Sequence, residues 1–341
     1  MLIELLDILE HELRGSLSQS GVKIRPPLSS IKTSNNDLAS RKINFLVFNH
    51  RERQPILILR IAQGDEQKAL LKNEYETLGR LVKYPAVTGA MPFPLGLFEF
   101  KNNLIAVEGS LPGVSLFVLL QRGKHTHPYW VKRDFRLACD FLSELGRVTT
   151  DGYTPFPDTN MVQSKLDQLS STYAPLNMPK DYEKQLLEIA DEHRSLMIMK
   201  CGRHGDYWPG NLLLSPKGIG VIDWEGFAHP DLLFLDIFFF MTTYALCYPW
   251  YAWKSCPTEK AFGLGFIEEN WLSTIIKESL QHFFLNFNVP PRAMYLLFNL
   301  FLMEMSLPAA ITNDPRNPPQ YSKWFNMFQT LIQSKSPFLA R

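Results

Sequence analysis

At 341 residues the chain is long enough for two domains of roughly 100 to 200 residues each, with a sizeable core. With 45% hydrophobic residues, 20% charged residues and a formal net charge of +1, the composition argues against a disordered chain and against a basic polyanion binder, so nucleic acid is not an expected partner. Its four cysteines, Cys139, Cys201, Cys247 and Cys256, form no CxxC pair, which removes zinc-ribbon and thioredoxin-like readings and predicts reduced, mostly buried thiols in a cytoplasmic protein.

The opening "MLIELLDILEHELRG" interleaves acidic and apolar residues and lacks the basic start and small-residue cleavage site of a signal peptide, so it predicts an amphipathic helix. "INFLVFN" (43–49) and "PILILRIA" (55–62) read as strands, joined by the polar hairpin connection "NHRERQ". "DEQKALLKNEYETLGRL" then sets Ala69, Leu70, Asn73, Thr77, Leu78 and Leu81 near one another by helical spacing. "AMPFPLGLFEFKNNLIAVEG" returns to strands with Asn102 and Asn103 as the expected turn, and "SLPGVSL" breaks the pattern.

From about Ser115 the period is mostly helical, interrupted by a strand-like segment around residues 204–225 and by proline-rich connections such as "APLNMPKD" and "DPRNPPQ". The apolar stretch Leu232–Trp253 contains Asp236 and Pro249, which leave an uncharged run shorter than the roughly twenty residues a bilayer requires. It predicts a buried core helix, with neither a transmembrane segment nor peripheral membrane contact expected. The plan is α+β: a small antiparallel sheet-plus-helix lobe over residues 1–108 and a larger, mainly helical lobe over 109–341.

The chemistry concentrates in "HGDYWPGNLLLSPKGIGVIDWE", His204–Glu225. Asp206 stands five positions before Asn211, and Asp223 follows the strand "GIGVI". Phosphoryl transfer needs a carboxylate at the acceptor hydroxyl, oxygen ligands for magnesium and a cation on the phosphates. The stretch offers the first two.

"HGDYWPGNLLL" followed by "GVIDWEGFAHPDLLFLDI" resembles the phosphotransferase family of aminoglycoside, choline and homoserine-type kinases, which are similar in fold to protein kinases. The resemblance extends more weakly over "LILRIAQ", "KNEYETLGRL" and the hinge-like "NLIAVEGSLPGVSL", and so over most of the chain. It implies a two-lobed protein-kinase-like fold and a kinase that uses ATP, or GTP, with Mg2+. The acceptor it implies is a small-molecule hydroxyl. Carried over residue by residue, Asp206 is the catalytic carboxylate, and Asn211 and Asp223 are the magnesium ligands. Arg60 is the phosphate-binding cation, Glu74 the helix residue that orients it, and Glu108 belongs to the nucleotide-binding hinge.

The chain departs from the pattern at two places. Arg60 replaces the lysine of many relatives, a group that is always charged and binds phosphate bidentately. "SSIKTSNNDLASRK" has no glycine where a protein kinase covers the phosphates, leaving "TSNN" as the candidate substitute. These departures feed the alternative of a nucleotide-binding pseudokinase, or a partner-binding protein without transfer activity. A protein kinase is disfavoured because no APE-like segment follows Asp223.

Within the motif, His204 is expected to be a buried structural residue and Asp236 to brace the catalytic loop through its backbone or Arg203. Glu225 is expected to pair with a cation, with magnesium as the other possibility. "YPWYAW" (248–253) could cage a quaternary ammonium. From Gly226 onward eight Asp and Glu balance eight Lys and Arg, so a polycationic aminoglycoside is not favoured, whereas Glu268 and Glu269 could hold one ammonium. Amino alcohols, sugars and amino sugars stay open.

Overall fold

The structure, a computed structural model, describes residues 2–12, 14–19, 21–33, 42–173, 178–248, 256–311 and 323–334. Most of the "TSNN" loop, all of the aromatic cluster after Tyr248, part of "APLNMPKD" and all of "DPRNPPQ" lie outside the described residues. The chain forms two compact units, Met1–Val114 with Asn211–Phe227, and Ser115–Gly210 with Ala228–Arg341. Residues 211–227, which follow the start of the helical part in chain order, thus pack with the N-terminal unit.

The first unit is a five-stranded antiparallel sheet, in the order β1-β2-β3-β5-β4. Its strands are β1 (Ser29–Lys32), β2 (Lys42–Phe48), β3 (Leu57–Ala62), β4 (Pro94–Phe100) and β5 (Asn103–Gly109). Alternation along β2, β3 and β5 sends Phe45, Val47, Leu57, Leu59, Ile61, Ile105 and Val107 into a core shared with Leu5 and Leu9 of the opening helix α1 (Leu2–His11). A second short helix, α2 (Arg14–Gln19), adds Leu17 to that core.

The β4–β5 hairpin turns one residue earlier than the sequence suggested. Lys101 and Asn102 take positive φ values of 47° and 61°, while Asn103 opens β5 and donates from Nδ2 to the Lys101 carbonyl at 2.9 Å. Two successive left-handed residues are what a two-residue hairpin requires, and the asparagine at the second position suits it.

Helix α3 (Asp65–Leu81) also differs in its buried face. Leu71, Glu74, Thr77, Leu78 and Leu81 are buried, whereas Ala69, Leu70 and Asn73 are exposed. Treating glutamate as a mark of the solvent face displaces the apolar stripe, because here a buried glutamate lies within it. A short helix α4 (Pro85–Thr88) follows.

The second unit is mainly helical. A short strand, β6 (Val114–Ser115), precedes helices α5 (Leu116–Gln121), α6 (Pro128–Val148), α7 (Thr159–Thr172), α8 (Lys180–Glu192) and α9 (Phe234–Cys247). Four more span Thr258–Phe266, Trp271–Leu285, Pro291–Ile311 and Lys323–Gln333. The apolar stretch after Asp231 folds as the expected core helix: in α9, Ile237, Phe238, Phe240, Met241, Tyr244 and Ala245 are all buried. Phe238 packs among Phe284, Phe298 and Phe301 at ring distances of 5.2, 5.2 and 5.7 Å. No helix of the described residues is long and apolar enough to cross a membrane.

Helical periodicity did not reveal the two small antiparallel pairs that interrupt this unit. β7 (Tyr153–Pro155) pairs with β8 (Met197–Met199), and β9 (Cys201–Arg203) pairs with β12 (Ala228–Asp231). The hairpin of β10 (Leu212–Ser215) and β11 (Gly218–Val221) belongs to the first unit and matches the strand-like reading of the motif. The four cysteines are free thiols, Cys139 and Cys201 buried and the other two half-buried. Burial pushes the Cys201 thiol up to about 12, so it is protonated near neutrality.

Candidate active site

In the first unit, three of the residues singled out in the sequence, Glu74, Glu108 and Asp223, meet around a fourth, Arg60. Its guanidinium sits on the central strand β3 at 5% exposure. Nε donates to Glu108 Oε2 at 3.2 Å, and Nη1 lies 3.0 Å from Glu74 Oε1 and 3.4 Å from Asp223 Oδ1. Burial alone would favour the neutral base. The carboxylates of Glu108, Glu74 and Asp223 outweigh it and hold the guanidinium above its ordinary range.

Glu74 and Glu108 are both fully buried, so three carboxylates close on one planar fork. Glu108, expected at the nucleotide hinge, directs its side chain to Arg60. Glu74 accepts a further bond, from the Trp224 backbone N–H at 3.1 Å, which ties helix α3 to the turn after Asp223.

Asp223 itself has φ 70° and ψ 67°, a left-handed conformation that an aspartate tolerates better than most residues. Its side chain is 33% exposed, the most open of the group. Asn211 is held next to it, because Ile222 N–H donates to the Asn211 carbonyl at 3.0 Å as the β10–β11 hairpin closes. Glu225 completes the cluster: Glu74, Asp223 and Glu225 each present a carboxylate oxygen within 4.8 Å of the others. Such hard oxygen donors suit magnesium, and one of them is open enough to meet a ligand. The motif reading favoured a cation partner for Glu225 and kept magnesium as the other possibility; its place beside Asp223 and Glu74 bears on the second.

In the second unit, the loop carrying Asp206 is held from below by Asp236. Its carboxylate accepts the backbone N–H groups of His204 at 2.6 Å and Gly205 at 3.0 Å. Of the two expected modes of bracing, the structure shows the backbone one. Arg203 pairs with Asp231 instead, at 2.8 Å. His204 is fully buried, and its Nδ1 accepts the Asp206 backbone N–H at 3.2 Å, which leaves it in a structural position. Tyr207 is also fully buried, with its hydroxyl on the Ala138 carbonyl at 3.0 Å, while Asp206 is half-buried.

Burial lifts the Asp236 carboxyl from the ordinary 3.8 to about 7, against the pull of the two amides and Arg203. The folded state therefore keeps a proton that the unfolded chain has already released. This group's contribution to stability is full below the unfolded pKa and declines as pH rises from about 4 to about 7. Asp236→Asn is expected to remove that slope, read by urea unfolding across the same window; an unchanged slope would take the titration away from Asp236.

The model of a family described as "Phosphotransferase enzyme family" matches residues 43–266. Among solved structures, the chain is similar to a thermostable mutant of aminoglycoside phosphotransferase APH(4)-Ia in its apo form, at 12% identity, covering 94% of this chain and 98% of that one with a TM-score of 0.48. It is also similar to the macrolide 2'-phosphotransferase MphH from Brachybacterium faecium, at 14% identity, 95% and 98% coverage and a TM-score of 0.47. A third is aminoglycoside phosphotransferase APH(3'')-Id from Streptomyces rimosus, at 12% identity, 87% and 98% coverage and a TM-score of 0.44. No curated protein gives a significant match.

Proposed function

The chain belongs to the phosphotransferase enzyme family, and we propose that it transfers the terminal phosphoryl group of ATP or GTP to a hydroxyl of a small molecule. The observation that carries this reading is the buried Arg60 cluster, in which one cation gathers Glu74, Glu108 and the more open Asp223. Nothing in a purely structural role calls for three carboxylates around one central-strand arginine, since burying such charges is expensive. A fixed positive charge beside an acidic, partly open position is what a magnesium-nucleotide needs.

In this reading Asn211 and Asp223 hold the magnesium ion, with the Glu225 carboxylate beside them. Bound there, magnesium would offset the negative charge of the phosphates. Arg60 orients Asp223 and adds its own charge to the phosphate site. Glu74 fixes Arg60 and, through the Trp224 amide, the turn that presents Asp223. Glu108 fixes the other edge of the guanidinium.

Asp206 accepts the proton of the acceptor hydroxyl. The hydroxyl oxygen forms the new bond to the γ-phosphorus as the bond to the bridging oxygen breaks, and the nucleoside diphosphate leaves with that electron pair. Positioning and charge do most of the work in such a loose transition state, so the tethered Asp206 loop matters as much as the carboxylate itself.

The test is transfer of labelled γ-phosphate from magnesium-ATP, and separately GTP, to a panel of sugars, amino sugars, amino alcohols and amino acids. Label on one class with the wild type and not with Asp206→Asn supports the kinase. Nucleotide binding by calorimetry without transfer to any compound moves the reading to a nucleotide-binding protein.

A further inference from the structure

The chain balances 35 Lys and Arg against 34 Asp and Glu, but not evenly along its surface. Residues 122–136, "RGKHTHPYWVKRDFR", hold Arg122, Lys124, Lys132, Arg133 and Arg136 against one carboxylate, Asp134, which is fully buried. They form the loop after α5 and the first turns of α6. Along α6 the helical period brings Tyr129, Lys132, Arg133 and Arg136 onto one face, and all but the half-buried Arg133 are exposed. Arg122 and Lys124 are exposed as well, and among the described residues neither they nor Arg136 pairs with a carboxylate. Lys132 is the exception, 3.5 Å from Glu278.

Two large aromatic side chains stand among these cations. Tyr129 is 64% exposed and Trp130 37%, with their rings 5.1 Å apart and edge to face. The core does not call on either, because α6 meets it through Val131, Phe135, Ala138 and Leu142. An aromatic pair left in water gains its apolar burial only when a partner supplies it.

The loop and the helix are fixed to each other. The buried His125 ring places Nδ1 2.6 Å from Asp134 Oδ2, and Tyr244 of α9 donates its hydroxyl to the same oxygen at 3.1 Å. The His125 ring also lies 5.5 Å from Trp130, and the Arg133 guanidinium stands over the indole at 5.5 Å. His127 caps α6, its Nδ1 accepting the Tyr129 backbone N–H at 3.2 Å. A partner therefore meets preplaced rings and charges, and the ordering cost of binding is small.

Fixed cations call for an anionic partner, and the rings narrow the choice. Tyr and Trp have an apolar body and a polar edge, which suits the headgroup layer of a bilayer, where such residues concentrate. A stacked nucleic acid fits less well, because Arg133 already stands over the Trp130 ring. Firm attachment to a bilayer surface takes two signals, and this face offers both a basic cluster and an apolar one. The expectation of no membrane contact was drawn from the run Leu232–Trp253, most of which is the core helix α9, and it bears on spanning a bilayer rather than on this face.

We propose that the start of α6 and the loop before it form a docking face for an anionic lipid bilayer, with Tyr129 and Trp130 at headgroup level and Lys124, Lys132 and Arg136 over the lipid phosphates. Such docking needs neither nucleotide nor acceptor, so it stands or falls apart from the kinase reading. The experiment sediments the full chain with vesicles of phosphatidylcholine alone and of phosphatidylcholine mixed equally with phosphatidylglycerol, at low and high salt. Binding is expected on the mixed vesicles only, and should weaken as salt rises. Each Lys or Arg near such a surface is worth about fivefold, so Lys124→Ala with Arg136→Ala should weaken partitioning by at least roughly tenfold. Tyr129→Ala, at an exposed position that leaves the fold intact, should weaken it while keeping the salt dependence. Tryptophan emission should shift to the blue on the mixed vesicles in wild type and not in Trp130→Phe.

No binding to the mixed vesicles overturns the proposal, and so does binding that the alanine variants retain in full. A blue shift that persists in Trp130→Phe takes the indole out of the contact and overturns the arrangement proposed. If an oligonucleotide binds wild type as tightly as the vesicles do, and Tyr129→Ala changes neither, the face is a general polyanion surface and the bilayer assignment fails.

Discussion

Asp206→Asn should lower the rate of phosphate transfer by about 10² to 10⁴-fold, the span typical of a lost general base, while magnesium-nucleotide affinity changes little. The two halves of that expectation come from different parts of the chain. Asp206 lies in the second unit, on a loop whose backbone is fixed by Asp236, His204 and the buried Tyr207. The groups assigned to the nucleotide, Arg60, Asn211 and Asp223, lie in the first. An asparagine at 206 keeps the side-chain shape and removes only the proton acceptor, so the loop should keep its fold. Pre-steady-state transfer separates the chemical step from product release. A variant that turns over as fast as the wild type would sink the catalytic assignment.

The motif from His204 to Asn211 was legible in the sequence because its signal is local. His204, Gly205, Asp206 and Asn211 stand within eight residues, and Asp223 follows after one short hairpin. Alternating apolar residues likewise announced β2, β3 and β5, and the run after Asp231 announced α9.

What stayed hidden depends on partners far along the chain. By helical period alone Glu74 looks like a solvent-face glutamate; the resemblance paired it with Arg60, fourteen residues earlier, but nothing local pointed to the amide of Trp224, 150 residues later. The return of residues 211–227 to the first unit rests on contacts of the same kind, such as the Val221 N–H on the Ala90 carbonyl at 2.7 Å. The strands at 153–155 and 197–199 are too short to show a period, and each needs the other to exist.

Arg60→Ala is expected to destabilise the protein by roughly 3 to 5 kcal/mol, the range for removing one partner of a buried ion pair. The effect on stability should therefore precede any effect on nucleotide binding. Without the guanidinium, Glu74 and Glu108 are left as buried carboxylates with their principal counter-charge gone. Asp223 is less affected in this respect, because a third of its side chain is already in solvent.

Arg60→Lys separates charge from shape. A lysine restores the positive charge, but one ammonium cannot reproduce a fork that meets Glu108 through Nε and Glu74 through Nη1, so it should recover part of the stability only. Urea unfolding of the three proteins, alongside nucleotide Kd, checks the order wild type, lysine, alanine. If alanine unfolds within about 1 kcal/mol of wild type, the cluster is not holding the sheet to α3 and the turn at Asp223. If stability falls as expected and the lysine variant binds nucleotide like wild type, then charge alone serves the phosphates, and the arginine is there for the carboxylates it holds together.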